Sequence, residues 1–213
     1  MSQKLLILGN RTFAVEVADL AADIPGVTVA GYVENLERRR CAETIDGMPI
    51  HWIDDLGPLA ADHVAVCALS TTHRSRFVRE AADRGMRFSK LAHPMARISR
   101  SASVGEGSIL NVSAIIAAHT RLGRHVIVSR AALVGHHTAI GDFVTIGPGA
   151  NIAGCCSIGQ ATYIGMGAII IDHLNIGSHS VIAAGAVVTR DVPDNVMVFG
   201  VPARVVKRGI DGK

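Results

Sequence analysis

The chain has 213 residues, 49% of them apolar and 18% charged, with a formal net charge of +3. That balance supports a packed core and excludes wholesale disorder, and without a long Lys/Arg run it does not point to nucleic acid. Four cysteines without a CxxC pair, two of them the adjacent Cys155 and Cys156, argue against a disulfide framework or zinc knuckle and for reduced thiols in the cytoplasm.

The opening MSQKLLILGN has no small-residue cleavage site, so it does not read as a signal peptide. No run reaches the roughly 18 apolar residues that span a bilayer, so no membrane insertion is expected. Residues 4–9 read as a buried strand ending in Gly9, and 13–22 as a helix with Phe13, Val17, Leu20 and Ala21 inward. VTVAGYV (27–33) and HVAVCAL (63–69) read as further strands. Thr71 or Thr72 caps a helix that stops at Gly85, and a short strand near 87–91 leads to His93-Pro94. This alternation implies a small Rossmann-like parallel sheet with helices on its faces. Ligands of such sheets sit beyond the C-terminal strand ends, here Gly9-Asn10-Arg11-Thr12, Glu34-Asn35 and Ser70-Thr71-Thr72.

From Ile98 to Val188, every sixth residue is Ile, Leu or Val: sixteen positions of sixteen, where only 28 of the 91 residues in that window are of those types. Four residues after each comes a small or medium side chain, and glycine often follows the aliphatic directly, as in Gly105, Gly123, Gly135 and Gly141. A period of six fits neither a helix nor simple strand alternation. It fits a short strand plus a sharp corner, three to a coil of about 18 residues, stacked about five deep. The aliphatic points inward, the small residue shares the narrow interior, and glycine is expected to tolerate the corner backbone. His119, His137, Cys155 and His173 are 18 apart and should stack as one column, read as an interface lining a groove. His125 and His179 form a second column with Phe143 and Ala161, read as ordinary surface.

The repeat over 98–188 resembles the hexapeptide-repeat acyltransferases, and that resemblance, not the period, implies a left-handed parallel β-helix. With LLILGN, ALSTTHR, AHPMARISRSASVGEG, LVGHHTAIGDF, IGPGANIAGCCSIG and VFGVPARVV quoted in order, nearly the whole chain is similar to the bacterial sugar acetyltransferases of the PglD/NeuD type. The division it implies is a nucleotide/sugar-binding unit at 1–92, a β-helix acyltransferase unit at 93–190 and a C-terminal tail at 191–213.

The resemblance implies acetyl-CoA as co-substrate, no metal, a homotrimer, and transfer to the amino group of a nucleotide-linked 4-amino deoxysugar. A neutral imidazole is the natural base for such a transfer near pH 7. His136 falls on the family's base position. The following residue, usually acidic, is here His137, which leaves three readings open: His137 is a weaker partner, a nearby carboxylate such as Asp142 or Asp172 takes its place, or His137 is a solvated corner. Acetyl-CoA contacts are implied at Thr145, Gly154, Met166 and Ala184, with Arg204, Lys207 and Arg208 available to its phosphates. Substrate contacts are implied at Arg11, Thr12, Phe13, Glu34, Asn35 and Ser70. The family's Gly-rich loop after the first strand keeps only Gly9 here. O-acetylation of sialic acid or another sugar hydroxyl stays open, as do a metal-dependent carbonic-anhydrase-like hydratase and a catalytically silent binding protein.

Overall fold

The computed structural model describes residues 2–213. Its N-terminal unit opens with β1 (Gln3–Leu8), whose last four residues are buried. The helix α1 (Thr12–Ala22) buries Ala14, Val17, Leu20 and Ala21. Phe13, expected inward, is half-buried and faces the junction with the second unit. Then come β2 (Val27–Glu34), β3 (Thr44–Ile45), β4 (Met48–Trp52), β5 (His63–Cys67), α2 (Ser75–Ala82) and β6 (Arg87–Phe88). The sheet order is β3-β4-β2-β1-β5-β6, parallel except for β3 against β4. The expected strands and helices are present, and β3 and β4 add an edge that the sequence pattern did not show. The expected strand at 87–91 is two: β6 stays in this sheet, while Leu91–Ala92 pairs with Ile109-Leu110 and begins the coil. Ala92 is small, so the hexad count does not reveal the start.

The coil runs through two-residue strands from β7 (Leu91–Ala92) to β23 (Val187–Val188), and each strand up to Ile169–Ile170 pairs in parallel with the strand 18 residues on. Three flat faces result. The second residue of each strand points inward, and the hexad aliphatics form one continuous core from Leu110 to Val188. The small residue four positions on also lies inside, and hydroxyls there are satisfied rather than stranded. Ser108, Thr120 and Thr162 each donate to the carbonyl 15 residues ahead, at Gly123, Gly135 and Gly177, over 3.1, 2.7 and 2.7 Å. A buried hydroxyl so paired avoids the cost of an unmet polar group.

The glycine expectation needs correcting. Every sixth residue from Gly107 to Gly185 has a left-handed φ, but these lie three positions after the aliphatic and most are not glycine: Ser113, His119, Ala131, His137 and Cys155 among them. The glycines directly after the aliphatics are required by close approach instead. A Cβ on Gly141 would stand 2.6 Å from the backbone nitrogen of Gln160 in the next coil.

The tail region is ordered. β24 (Val196–Gly200) extends one face of the coil in parallel, and β25 (Ala203–Arg208) folds back antiparallel on it. Residues beyond return to the N-terminal unit, where the Lys213 backbone N–H donates to Thr72 Oγ1 at 2.9 Å and its carbonyl accepts from the Thr72 N–H at 2.8 Å. Among the described residues no helix is long and apolar enough to cross a membrane.

Each face of the coil has its own outward chemistry. On the first, Ile109, Ile127, Thr145 and Val181 are buried under the N-terminal unit and the returning tail. The second shows an apolar stripe interrupted by Asn151: Ile115 and Ile169 are 40% and 44% exposed, and Leu133 and Val187 beside them are half-buried. The third is small and polar outside, with Ser103, Arg121, Ala139, Ser157 and Asn175.

Candidate active site

His136 and His137 occupy the corner between the apolar and the polar face, and both are exposed. Their Nδ1 atoms stand 3.1 Å apart. His137 has φ +56 and packs on His119 in the preceding coil, ring centroids 4.7 Å apart. The expected column is therefore real, with His119, His137, Cys155 and His173 all in the left-handed region. The His136 ring lies against Gly154 in the following coil: a Cβ there would meet Cε1 at 2.7 Å and Nε2 at 2.8 Å. Gly154 thus makes room for the ring.

The carboxylates considered as partners are engaged elsewhere. Asp142 accepts from the backbone N–H of Arg124 at 2.8 Å and from its Nε at 3.1 Å. Asp172 pairs with His173 at 3.7 Å. Among the described residues no carboxylate forms an ion pair with His136 or His137, and no group of three or more His, Cys, Asp or Glu side chains is placed to hold a metal.

A groove of about 480 Å³ runs along the opposite edge of the apolar face. Met166 and Ala184, two residues implied above as acetyl-CoA contacts, line it together with Tyr163, Val181, Met197 and Lys207. Its apolar floor suits a pantetheine arm, and Lys207 at its rim suits a phosphate. Tyr163 also lines a smaller hollow of about 140 Å³, which brings Thr145 together with Phe13 and Ser70. Residues expected at the co-substrate and at the sugar are thus neighbours where the two units join. Thr145 itself is buried and accepts from Arg74 at 2.8 Å.

At the strand ends, Arg11 is exposed and 3.8 Å from Glu37, and Thr12 beside it is exposed. Glu34 is buried and heavily occupied. Its Oε1 accepts from the backbone N–H groups of Asn35, Leu36 and Glu37 at 2.8, 2.6 and 3.4 Å, and its Oε2 from Asn10 Nδ2 at 2.8 Å. Burial alone would raise the carboxyl, but these hydrogen bonds outweigh it and hold Glu34 below its ordinary range. Glu34 therefore organises the loop after β2. Asn35 in turn donates to Glu80 Oε2 at 2.7 Å, tying that loop to α2.

Two residues of consequence are placed by contacts between the two units. Arg74 is 1% exposed and donates to the carbonyls of Thr71, His125 and Val144 as well as to Thr145, at 2.6 to 3.0 Å for the shortest contact with each. It precedes Phe77, Val78 and Ala81 at helical spacing, so its place on the buried face of α2 was a signal the pattern contained. His125, expected at the surface, is 4% exposed, because the N-terminal unit covers it: its ring stacks on Phe143 at 5.2 Å and meets Phe88 edge-on at 4.7 Å. Burial first, then Arg74 and Arg124, push its pKa down to about 4.

No protein-family model and no curated protein matches the sequence. Solved structures match over nearly the whole chain. One is a variant of perosamine N-acetyltransferase from Caulobacter crescentus in complex with CoA and GDP-perosamine, at 28% identity and a TM-score of 0.88, covering 96% of this chain and 97% of that one. Another is the acetyltransferase domain of PglB from Neisseria gonorrhoeae with acetyl coenzyme A, at 30% identity and a TM-score of 0.88, covering 97% and 100%. WeeI from Acinetobacter baumannii is 26% identical with a TM-score of 0.85, covering 96% and 100%. The expected fold stands, a small α/β sheet unit followed by a left-handed parallel β-helix. With the coil, the corner histidines and the groove in place, the chain belongs to the hexapeptide-repeat sugar N-acetyltransferases and is an acetyl-CoA-dependent acyltransferase.

Proposed function

We propose that the chain acetylates the amino group of a nucleotide-activated 4-amino deoxysugar, with His136 as general base, in a homotrimer in the cytoplasm. The observation that carries this reading is the placement of His136. It is exposed, one ring nitrogen faces His137, and it stands on one edge of the apolar face whose other edge carries the Met166–Ala184 groove.

Bound acetyl-CoA supplies the thioester carbonyl to be attacked. The protein's own work is to hold the acceptor amine and remove its proton as the new C–N bond forms. His136 takes that proton, a contribution worth about 10²–10⁴-fold in rate. The N-terminal unit frames the activated sugar with Arg11, Thr12, Phe13, Asn35 and Ser70, the Arg11 guanidinium suiting a phosphate. Glu34 keeps this frame in shape. The comparison that favours an amine acceptor is the perosamine N-acetyltransferase structure with GDP-perosamine.

Because base and groove lie on opposite edges of one face, a complete site calls for two copies. In a closed ring each apolar face is covered and each copy offers both edges, with three copies as the reading adopted here. The test is thiol release from acetyl-CoA with UDP-, GDP- and dTDP-linked 4-amino sugars and with sialic acid. Turnover with an amino sugar, lost in His136→Asn, is the expected result. Turnover only with a hydroxyl acceptor, or full activity of His136→Asn, overturns it.

A further inference from the structure

We infer that His137 is a positioning residue: its Nδ1 accepts the Nδ1 proton of His136 and so holds that ring in the tautomer that leaves Nε2 free to act as the base. The inference rests on His136 being the general base. A contact of 3.1 Å between two ring nitrogens is a hydrogen bond only when one carries hydrogen and the other a lone pair. If His136 supplied the lone pair, its hydrogen would sit on Nε2 and that atom could accept nothing. A working base therefore donates from Nδ1, and His137 carries its own hydrogen on Nε2.

The surroundings make His137 fit for the task. Among the described residues no carboxylate pairs with His136; Asp142 is held by Arg124 and Asp172 by His173. The backbone N–H of His137 donates to the Ala118 carbonyl at 2.9 Å, and its ring is braced by His119 at 4.7 Å. Gly154 receives the His136 ring from the following coil. His119, His137, His136 and Gly154 thus form one brace across three coils. A neutral acceptor supplies orientation without the charge of a carboxylate, which distinguishes this site from one with an acidic residue at position 137.

The test uses the full chain labelled with ¹⁵N-histidine. In the unaltered protein His136 shows a protonated Nδ1 and an unprotonated Nε2; in His137→Ala the two tautomers mix. Ala131 and Ala161 already occupy equivalent corners with φ +54 and +52, so the alanine is compatible with the fold. His137→Ala lowers kcat by about 10–100-fold, the range for losing an orienting partner, with KM for acetyl-CoA little changed. His137→Asn recovers much of that loss, because Asn Oδ1 takes the place of Nδ1 and Asn tolerates a positive φ. An unaltered protein with hydrogen on Nε2 of His136, or a His137→Ala variant with unchanged tautomer and kcat, overturns the inference. His136→Asn separates the two ideas: if it stays active, the base assignment itself falls.

Discussion

Arg74 donates through a terminal guanidinium nitrogen to Thr145 Oγ1 at 2.8 Å, joining residues 71 apart in sequence and belonging to different units of the chain. Its other partners are backbone carbonyls, and no carboxylate forms an ion pair with it among the described residues. Burial lowers its pKa to about 10, still far above neutrality, so it stays charged while clamping the start of α2 onto the coil. Removing it takes the side-chain donors from the His125 and Thr71 carbonyls and leaves Val144 with the Ile127 N–H alone, at 3.0 Å; a buried polar group left unmet costs about 1–3 kcal/mol. Arg74→Met is expected to lower stability by roughly 3 kcal/mol in urea titration. Arg74→Lys, with fewer donors and no planar fork, recovers only part. A midpoint unchanged in Arg74→Met would refute the clamp.

The two glycine roles in the coil separate by substitution. Gly141→Ala places a Cβ 2.6 Å from the Gln160 nitrogen and 2.9 Å from its Cα, backbone that cannot move without parting two coils. Overpacking of that kind costs about 1–3 kcal/mol. Gly149 has φ +64 and nothing within 4 Å of an added Cβ. Gly149→Ala is therefore expected to cost only about 1 kcal/mol, the left-handed penalty alone. Thermal unfolding of both variants checks the order, and a larger loss at Gly149 would reverse the assignment.

The coil was legible because its period belongs to the sequence itself: one aliphatic every sixth residue from Ile98 to Val188. His136 was legible for the same reason, as a corner residue fixed by that count and by the family likeness. What escaped depends on contacts between units. His125 looks like any other corner histidine until Phe88 of the N-terminal sheet covers it. Arg74 has no local mark of its burial beyond helical spacing with Phe77 and Val78. Glu34 reads from the sequence as a substrate contact, yet its Oε1 is taken by the three backbone N–H groups that follow it and its Oε2 by Asn10. Strand β4 hid behind Pro49, a residue that sheets confine to edges and strand ends.

Buried His125 makes stability depend on pH in a definite direction. Its pKa falls from 6.5 to about 4 on folding, by burial first and then by Arg74 and Arg124. Between those values the unfolded chain binds the proton and the native state does not, so stability is complete above pH 6.5 and is lost as pH falls towards 4. The full loss is roughly 3 kcal/mol, at about 1.4 kcal/mol per unit. Glu34, held below 4.5, has its effect only at more acid pH. His51, lowered chiefly by burial, acts in the same direction as His125. Urea midpoints at pH 7.5 and 5 are expected to differ clearly, and His125→Phe to shrink the difference. Phe143 shows that phenylalanine is accepted at such a corner, with φ +61. An undiminished difference in that variant would remove His125 from the account.

A site shared between copies predicts complementation. His136→Asn removes the base, and Ala184→Trp fills the groove that Met166 and Ala184 line on the opposite edge of the same face. Each variant alone is expected to be inactive. Mixed by joint refolding, some interfaces pair an intact His136 edge with an intact groove from the other variant. Random assembly of equal amounts into a closed ring makes about one interface in four of this kind, so activity returns to about a quarter of the unaltered level. Ile169→Glu, placed on the exposed apolar stripe, puts a charge where the faces meet and is expected to yield monomers by sedimentation and to abolish turnover. If the mixture stays inactive while both variants still assemble, base and groove act within one chain, and the apolar stripe serves assembly alone.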